Sequence, residues 1–316
     1  MYKSIAAFPE HIRQAVSTNV ENYDPKYFEG IDKILFIGMG GSGIAGCIIK
    51  DLIGKVPVFI NQNFGAPQFI DKNTLAVIIS YSGNTKETLE SYSLARKKGC
   101  RLIGVSSGGK LQGIFRKDRL PFIKLPSGFL PRVSLPYQLF SLLMFFEMIG
   151  LYSFNGKHTE EFLEKNRKKI DTLAKGMAKK IGSRMVFVYG STESVCRRLK
   201  TQLNENAKRH AKYEVFPEMN HNEVVAWQKG GPKNICVVIF RDEEKDEITK
   251  SIELLKKTIR AKTDIIEIEP EGKSKLEKIV YCIYLGDLIS YYLAVQSGVD
   301  PANTDYITKL KKVINE

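Results

Sequence analysis

Residues 77–89 read Val-Ile-Ile-Ser-Tyr-Ser-Gly-Asn-Thr-Lys-Glu-Thr-Leu, and this passage constrains the chain more than any other. Ala76, Val77, Ile78 and Ile79 form an apolar, β-favouring run that ends in a turn of hydroxyls, Gly83 and Asn84. Leu89, Tyr92, Leu94 and Ala95 then recur at helical spacing. A buried strand that feeds a turn and then a helix collects unpaired backbone N–H groups at one point, at the positive end of the helix dipole. Ser80, Ser82 and Thr85 add hydroxyl donors there, which suits a tetrahedral oxyanion such as phosphate. The plainer reading is that Thr85 caps the helix, as Ser and Thr do throughout proteins. One cap needs one hydroxyl, and here three converge on a glycine-containing turn, so phosphate binding is the expectation.

A second turn of related design precedes it. Lys33-Ile34-Leu35-Phe36-Ile37 is a short buried strand running into Gly38-Met39-Gly40-Gly41-Ser42-Gly43. Taken alone this matches a dinucleotide fingerprint. After the next strand, however, Asn61, Gln62 and Asn63 stand where a ribose-binding acid belongs. The glycines, Gly41 among them, are read instead as permitting close backbone approach to a sugar or phosphate, with Ser42 pointing into the site. A tight strand–helix turn without a ligand is the alternative.

Further strands are expected at residues 101–105 and 122–125, and helices over 12–20, ending near 24–25, and over 135–152 and 160–181. After residue 184 the plan repeats, with strands at 184–188 and 235–240 and helices at 246–262, 275–297 and 304–314. Strands alternating with helices imply an α/β fold, each half a parallel sheet flanked by helices. The division is placed between residues 1–153 and 154–316. The second half looks like a degenerate copy that lacks the serine-rich turn. In such sheets ligands bind beyond the carboxyl ends of the strands.

The net charge of +13 fits an anionic partner, but the lysines are spread along the chain rather than gathered into a nucleic-acid-binding run. The five cysteines (Cys47, Cys100, Cys196, Cys236, Cys282) lie far apart, without metal or disulfide spacing. The N-terminus lacks a signal-peptide pattern, and residues 135–152 carry Pro136, Gln138 and Glu147, which suit a buried helix better than a membrane span. A cytoplasmic protein without nucleic-acid, membrane, metal or cofactor partners is expected.

Three polar stretches stand out as candidate chemistry. Arg132 follows Pro131 at the mouth of an apolar helix; the ordinary reading is a surface ion pair, the other a fixed charge that stabilises an anionic intermediate. Asn204-Glu205-Asn206 sets a carboxylate between two amides, which orient it without adding charge and so suit a general base; a solvated helix face is the plain alternative. In Pro217-Glu218-Met219-Asn220-His221-Asn222-Glu223 the histidine has acids nearby to hold its tautomer or raise its pKa.

These segments carry a resemblance. Ser80-Tyr81-Ser82-Gly83-Asn84-Thr85 with Gly38-Met39-Gly40-Gly41-Ser42-Gly43 resembles the sugar isomerase (SIS) domain. Leu130-Pro131-Arg132, Asn204-Glu205-Asn206-Ala207-Lys208 and residues 217–223 are similar, more narrowly, to the bifunctional phosphoglucose/phosphomannose isomerases. The resemblance runs in order over nearly the whole chain. It implies two SIS subdomains, a homodimer, and conversion of glucose 6-phosphate or mannose 6-phosphate to fructose 6-phosphate. By that resemblance Ser42, Ser80, Ser82 and Thr85 form the sugar and phosphate pocket, Glu205 moves the proton between C1 and C2, and Arg132 stabilises the cis-enediolate. His221, reaching across the dimer, opens the ring together with a C-terminal lysine. Lys311 fits the family pattern at Ile307-Thr308-Lys309-Leu310-Lys311, with Lys309 and Lys312 as alternatives, and Thr304 resembles the threonine that admits both C2 epimers. A non-catalytic SIS sensor, or an isomerase of another phosphosugar, is the competing reading.

Overall fold

Apolar runs bounded by glycine become parallel strands here because a strand covered on both faces has no polar side to present. The computed structural model describes residues 1–242, 245–259 and 263–315. They divide into two compact units, Ala7–Glu164 and Met1–Ala6 with Lys165–Glu316. In chain order, α1 (Tyr2–Ala6) belongs to the later unit, and α2 (Phe8–Ala15) and β1 (Val20–Glu21) open the earlier one. There follow β2 (Lys33–Ile37), α3 (Gly40–Leu52), β3 (Val58–Asn61), β4 (Thr74–Ile79), α4 (Lys86–Lys97), β5 (Arg101–Ser106), α5 (Gly109–Lys117), β6 (Phe122–Lys124) and α6 (Leu135–Met148). Then comes α7 (Gly156–Ile181), inside which the division falls.

The sheet order is β1-β6-β5-β4-β2-β3, parallel throughout except for β1, which pairs antiparallel with β6 at the edge. Strand alternation sets the two faces. Leu35, Ile37, Ala76 and Ile78 join Tyr92, Leu111 and Phe115 of α4 and α5 in one core. Phe36 points the other way, its ring 6.0 Å from that of Phe146 in α6. The helix expected over 12–20 stops at Ala15. Ser17 Oγ bonds Arg13 O and Thr18 Oγ1 bonds Gln14 O, and such side-chain bonds compete with helix continuation. Val20 then joins the sheet edge.

The later unit holds β7 (Met185–Gly190), α8 (Glu193–Glu205), β8 (Ala211–Val215), α9 (Glu223–Ala226), β9 (Ile235–Phe240), α10 (Asp246–Ile259), β10 (Asp264–Ile268), α11 (Lys275–Gln296) and α12 (Asp305–Asn315). Its four parallel strands run β10-β9-β7-β8. β8 and β10 are strands that the apolar pattern did not reveal, β8 being half-buried throughout and β10 alternating between buried and more open positions. Residues 260–262 of the helix expected over 246–262 lie outside the described residues. Among the described residues only α11 is long and apolar enough to cross a membrane, yet 78% of that apolar window is buried inside the protein.

Met1–Ala6 belongs with the later unit through ties made by its own groups. Tyr2 OH and Tyr292 OH both donate to Asp171 Oδ1 (3.0 and 2.7 Å), and Tyr284 OH donates to Ala6 O (3.2 Å). These partners lie some 170 to 280 residues away, so local pattern gives no sign of them.

An ion cluster fixes α10 on the sheet. Arg241 Nη1 bonds Glu253 (2.9 Å) and Glu267 (2.7 Å), while Lys256 Nζ bonds the same pair (2.9 and 2.8 Å). Lys256 and then Arg241 hold the Glu253 carboxyl down at about 2, from an ordinary 4.5. Burial pulls Glu267 the other way, but the same two cations still keep it below its usual value. A carboxyl depressed in the folded state contributes stability above its unfolded pKa and loses it as pH falls through the folded value. Resistance to denaturant is therefore expected to drop between about pH 4.5 and about pH 2, and Glu253→Gln to flatten that limb. Midpoints measured across this window check it; an unchanged limb would remove the cluster from the acid response.

Candidate active site

β4 delivers Ser80 to the buried start of the turn, where only 1% of it is exposed. Thr85 stands at the N-cap of α4, but its side chain makes no capping bond. Its hydroxyl lies instead 2.9 Å from Ser80 Oγ. The first-turn N–H groups of α4 are thus left uncapped by Thr85, as an anion cradle requires. Ser82 Oγ accepts from Asn84 N (3.3 Å) at the exposed crest. Gly83, at φ +71°, allows the turn to close: a Cβ there would lie 1.8 Å from Gly108 O, which no side chain can tolerate. The loop after β5 pins the turn from behind, with Ser107 Oγ donating to Tyr81 O (2.7 Å), Leu111 N to Gly83 O (2.9 Å) and Lys110 N to Asn84 Oδ1 (3.0 Å).

The glycine turn meets this one directly. Tyr81 N donates to Ser42 Oγ (3.1 Å), so Ser42, expected to point at the ligand, is a buried tie between the two turns. Gly41 lies against the third segment. A Cβ on it would sit 2.9 Å from Arg132 N and 3.0 Å from Pro131 C, and backbone atoms there cannot give way. Arg132 is only 2% exposed, which overturns the surface ion-pair reading. Its loop is braced by Ser134 Oγ and Gln138 Nε2, both donating to Pro131 O (2.9 and 3.2 Å). Tyr81 OH donates to Pro126 O and accepts from Phe129 N, each at 2.9 Å. That tyrosine, which carried no assigned role in the sequence, links the hydroxyl turn to the arginine loop; its place between two site serines is the signal that was available.

In the later unit Glu205 is the last residue of α8 and half-buried. The flanking amides also bond away from it. Asn204 Nδ2 donates to Arg209 O (2.6 Å) and Asn206 Nδ2 to Ser290 Oγ (2.9 Å), so they anchor the chain on either side. Ser290 Oγ donates in turn to Asp287 O (2.7 Å), and the Asp287 carboxylate takes a two-pronged bond from Arg198 (2.9 and 2.7 Å), both buried. Lys208 Nζ bridges Glu205 O and Asn303 O, bringing the segment that holds Thr304 beside the end of α8. The main chain at Glu205 is clamped from two sides.

His221 ends a 3-10 turn, Glu218–His221, and is exposed; its ring makes no hydrogen bond among the described residues. The neighbouring acids look elsewhere. Glu218 Oε1 accepts from Asn222 Nδ2 (3.1 Å), while Glu223 accepts from Tyr189 OH (2.8 Å) and Lys212 Nζ. Burial, then the Glu223 charge, pushes the Tyr189 phenol well above its usual range, so it remains a donor. Glu223 is a structural acid, a role that sequence adjacency to His221 conceals. Lys311 and Lys309 lie exposed on α12, and the side chain of Lys312 is outside the described residues. Thr304 is half-buried, its carbonyl accepting from Thr308 N (2.9 Å). Among the described residues, no cluster of three or more His, Cys, Asp or Glu side chains is arranged to hold a metal ion.

Gly41, Ser42, Ser80, Ser82, Thr85 and Arg132 are therefore gathered in one unit. The other gathers Glu205 with the Thr304 segment and leaves His221 and Lys311 exposed. Residues 28–110 match the family described as SIS domain, and residues 170–314 the one described as Bacterial phospho-glucose isomerase C-terminal SIS domain. The chain is similar to a bifunctional phosphoglucose/phosphomannose isomerase of Caldicellulosiruptor bescii, at 34% identity covering 100% of this chain and 99% of that one. It is 36% identical to a protein of the same name from Thermoplasma acidophilum, over 89% of each. The fold is also that of the C-terminal domain of a glucosamine-fructose-6-phosphate aminotransferase from Francisella tularensis, with a TM-score of 0.73 at 18% identity, covering 96% of this chain and 98% of that one.

Proposed function

This chain belongs to the bifunctional phosphoglucose/phosphomannose isomerase family, and from that premise we propose that it converts glucose 6-phosphate and mannose 6-phosphate reversibly to fructose 6-phosphate. The observation that carries the reading is the Ser80–Thr85 hydroxyl pair at an uncapped helix start, in the same unit as a buried arginine. In this proposal the phosphate sits in the turn of Ser80, Ser82 and Thr85. Its binding energy orients the sugar rather than reacting itself. Glu205 removes the proton from C2 of the open-chain aldose and returns it to C1, while the hydroxyl proton passes from O2 to O1, so that C2 becomes the carbonyl and C1 the alcohol of the ketose. Arg132 stabilises the enediolate between the two steps, since a fixed charge aimed at developing charge lowers the barrier most. His221 and Lys311 assist ring opening by moving a proton between the anomeric hydroxyl and the ring oxygen. Thr304 leaves space for either C2 epimer.

The test is fructose 6-phosphate formation by purified protein from glucose 6-phosphate and from mannose 6-phosphate separately, with EDTA present. Product from both is expected. A thermal shift with glucose 6-phosphate but no product would favour a sensor, and product from glucose 6-phosphate alone would remove Thr304 from its role.

The same premise supports a homodimer in which His221 serves the partner's site, and an exposed imidazole without a hydrogen bond among the described residues suits such a role. Mixing Glu205→Gln with His221→Ala subunits is then expected to restore part of the activity that each lacks. Light scattering at the monomer mass, or no recovery in the mixture, would overturn it.

A further inference from the structure

Tyr81 stands between two serines of the hydroxyl turn and reaches three other segments of the earlier unit. Its N–H donates to Ser42 Oγ in the glycine turn (3.1 Å). Its carbonyl accepts from Ser107 N (2.9 Å) and Ser107 Oγ (2.7 Å) in the loop after β5. Its phenol donates to Pro126 O and accepts from Phe129 N, each at 2.9 Å. Ser127 and Gly128, spanned by those last two bonds, are exposed, whereas Tyr81 is buried. Burial raises the phenol above its ordinary pKa, so the hydroxyl keeps its proton and donates and accepts at once. Beyond Phe129 the chain is stiff as far as Arg132. Leu130 O accepts from Val133 N (2.9 Å) and Ser134 N (3.2 Å), which closes the turn. Pro131 fixes its own φ, and its carbonyl takes the bonds from Ser134 and Gln138. A shift of the Phe129 amide is therefore carried to Arg132 rather than absorbed on the way.

Given the isomerase reading above, on which this rests, we infer that Tyr81 is a positioning residue that couples the phosphate turn to Arg132. An anion held by Ser80, Ser82 and Thr85 then brings the guanidinium into register with the enediolate. Tyr81 acts through Arg132, not on the sugar. A phosphate that draws on the Ser80 and Ser82 hydroxyls acts on main chain that Tyr81 shares, and the rigid ring carries the displacement to its hydroxyl. Binding energy from the non-reacting phosphate is in this way used to align the reacting centre. The Phe129 ring packs against His11 (5.2 Å between centroids) and Tyr137 (5.3 Å), so the loop has an anchor that does not depend on the phenol. Those rings hold the loop down, and the Tyr81 hydroxyl sets where its amide lies. Loss of the hydroxyl is thus expected to cost alignment rather than the fold.

Tyr81→Phe keeps the ring and removes only the hydroxyl. With glucose 6-phosphate, kcat is expected to fall about tenfold to a hundredfold, the size of an alignment loss, with KM nearly unchanged. The coupling is also read without turnover, in 15N-labelled protein titrated with inorganic phosphate. In the wild type the amide resonances of residues 80–85 and those of Phe129 and Arg132 move together and saturate together, as coupled sites must. In Tyr81→Phe the turn amides still move and saturate, while Phe129 and Arg132 stay fixed. Wild-type kcat in the variant, or Phe129 and Arg132 amides that still follow phosphate in it, overturns the inference. Should Tyr81→Phe not fold, the wild-type titration decides: concerted movement supports the coupling, and turn amides that move alone, or never move, overturn it. Product formation by the wild type decides the isomerase reading and the amide titration decides Tyr81, so the two failures are distinct.

Discussion

Glu205→Gln is expected to lower isomerisation by about 10²–10⁴-fold, the usual contribution of a positioned acid–base group, while glucose 6-phosphate still binds. The reason is geometric as well as chemical. The amide has the size of the carboxylate and leaves the anchors of the chain untouched: Asn204 to Arg209, Asn206 to Ser290, and Lys208 to the Glu205 carbonyl. Only the proton acceptor disappears. A proton next to a carbonyl is weakly acidic, so a base and an enediolate stabiliser must act together, and the loss falls on kcat rather than on KM. Initial rates with glucose 6-phosphate, alongside a binding isotherm for the same variant, make the check. Full activity would remove Glu205 from the mechanism, and lost binding would make it a structural residue.

The second large effect is on stability. Asp287→Ala leaves the Arg198 guanidinium at 2% exposure without its two-pronged partner. Breaking a buried pair on one side costs about 3–5 kcal/mol, because a charge is left desolvated and uncompensated. A pair of matched apolar replacements, Arg198→Met with Asp287→Leu, is expected to recover most of that loss, since neither charge is then buried. Denaturant midpoints of the three proteins decide it. If the single variant matches the wild type, the pair is not what joins α8 to α11. Activity follows stability here in a specific way, because Asn206 reaches Ser290, whose hydroxyl bonds Asp287 O. Loss of the pair loosens the seat of Glu205.

Much of the fold can be read from short-range pattern. β2, β4 and β9 are apolar runs that are buried almost throughout, and α4 and α8 begin where hydroxyl turns end. The hydroxyl turn was legible because strand, turn and helix lie within thirteen residues, and each residue states its own preference. The same locality also hides distant partners. Asn204, Asn206 and Glu223 stand beside Glu205 and His221 in sequence, yet bond to Arg209, Ser290 and Tyr189. Adjacency along a chain says little about where a side chain points once a helix or turn has rotated it.

The sequence by itself determined the alternating α/β plan, the hydroxyl turn, and the order of motifs that places the chain in its family, because each rests on backbone propensity and spacing over a few residues. Tertiary structure alone decided that Arg132 is buried, that Ser42 ties two turns together, that Arg198 meets Asp287 across 89 positions, and that the Asp242 carboxylate accepts from Ser191 N and Thr192 N. Those are matters of which groups lose water together, and burial is a property of distant segments meeting rather than of any residue's neighbours in the chain.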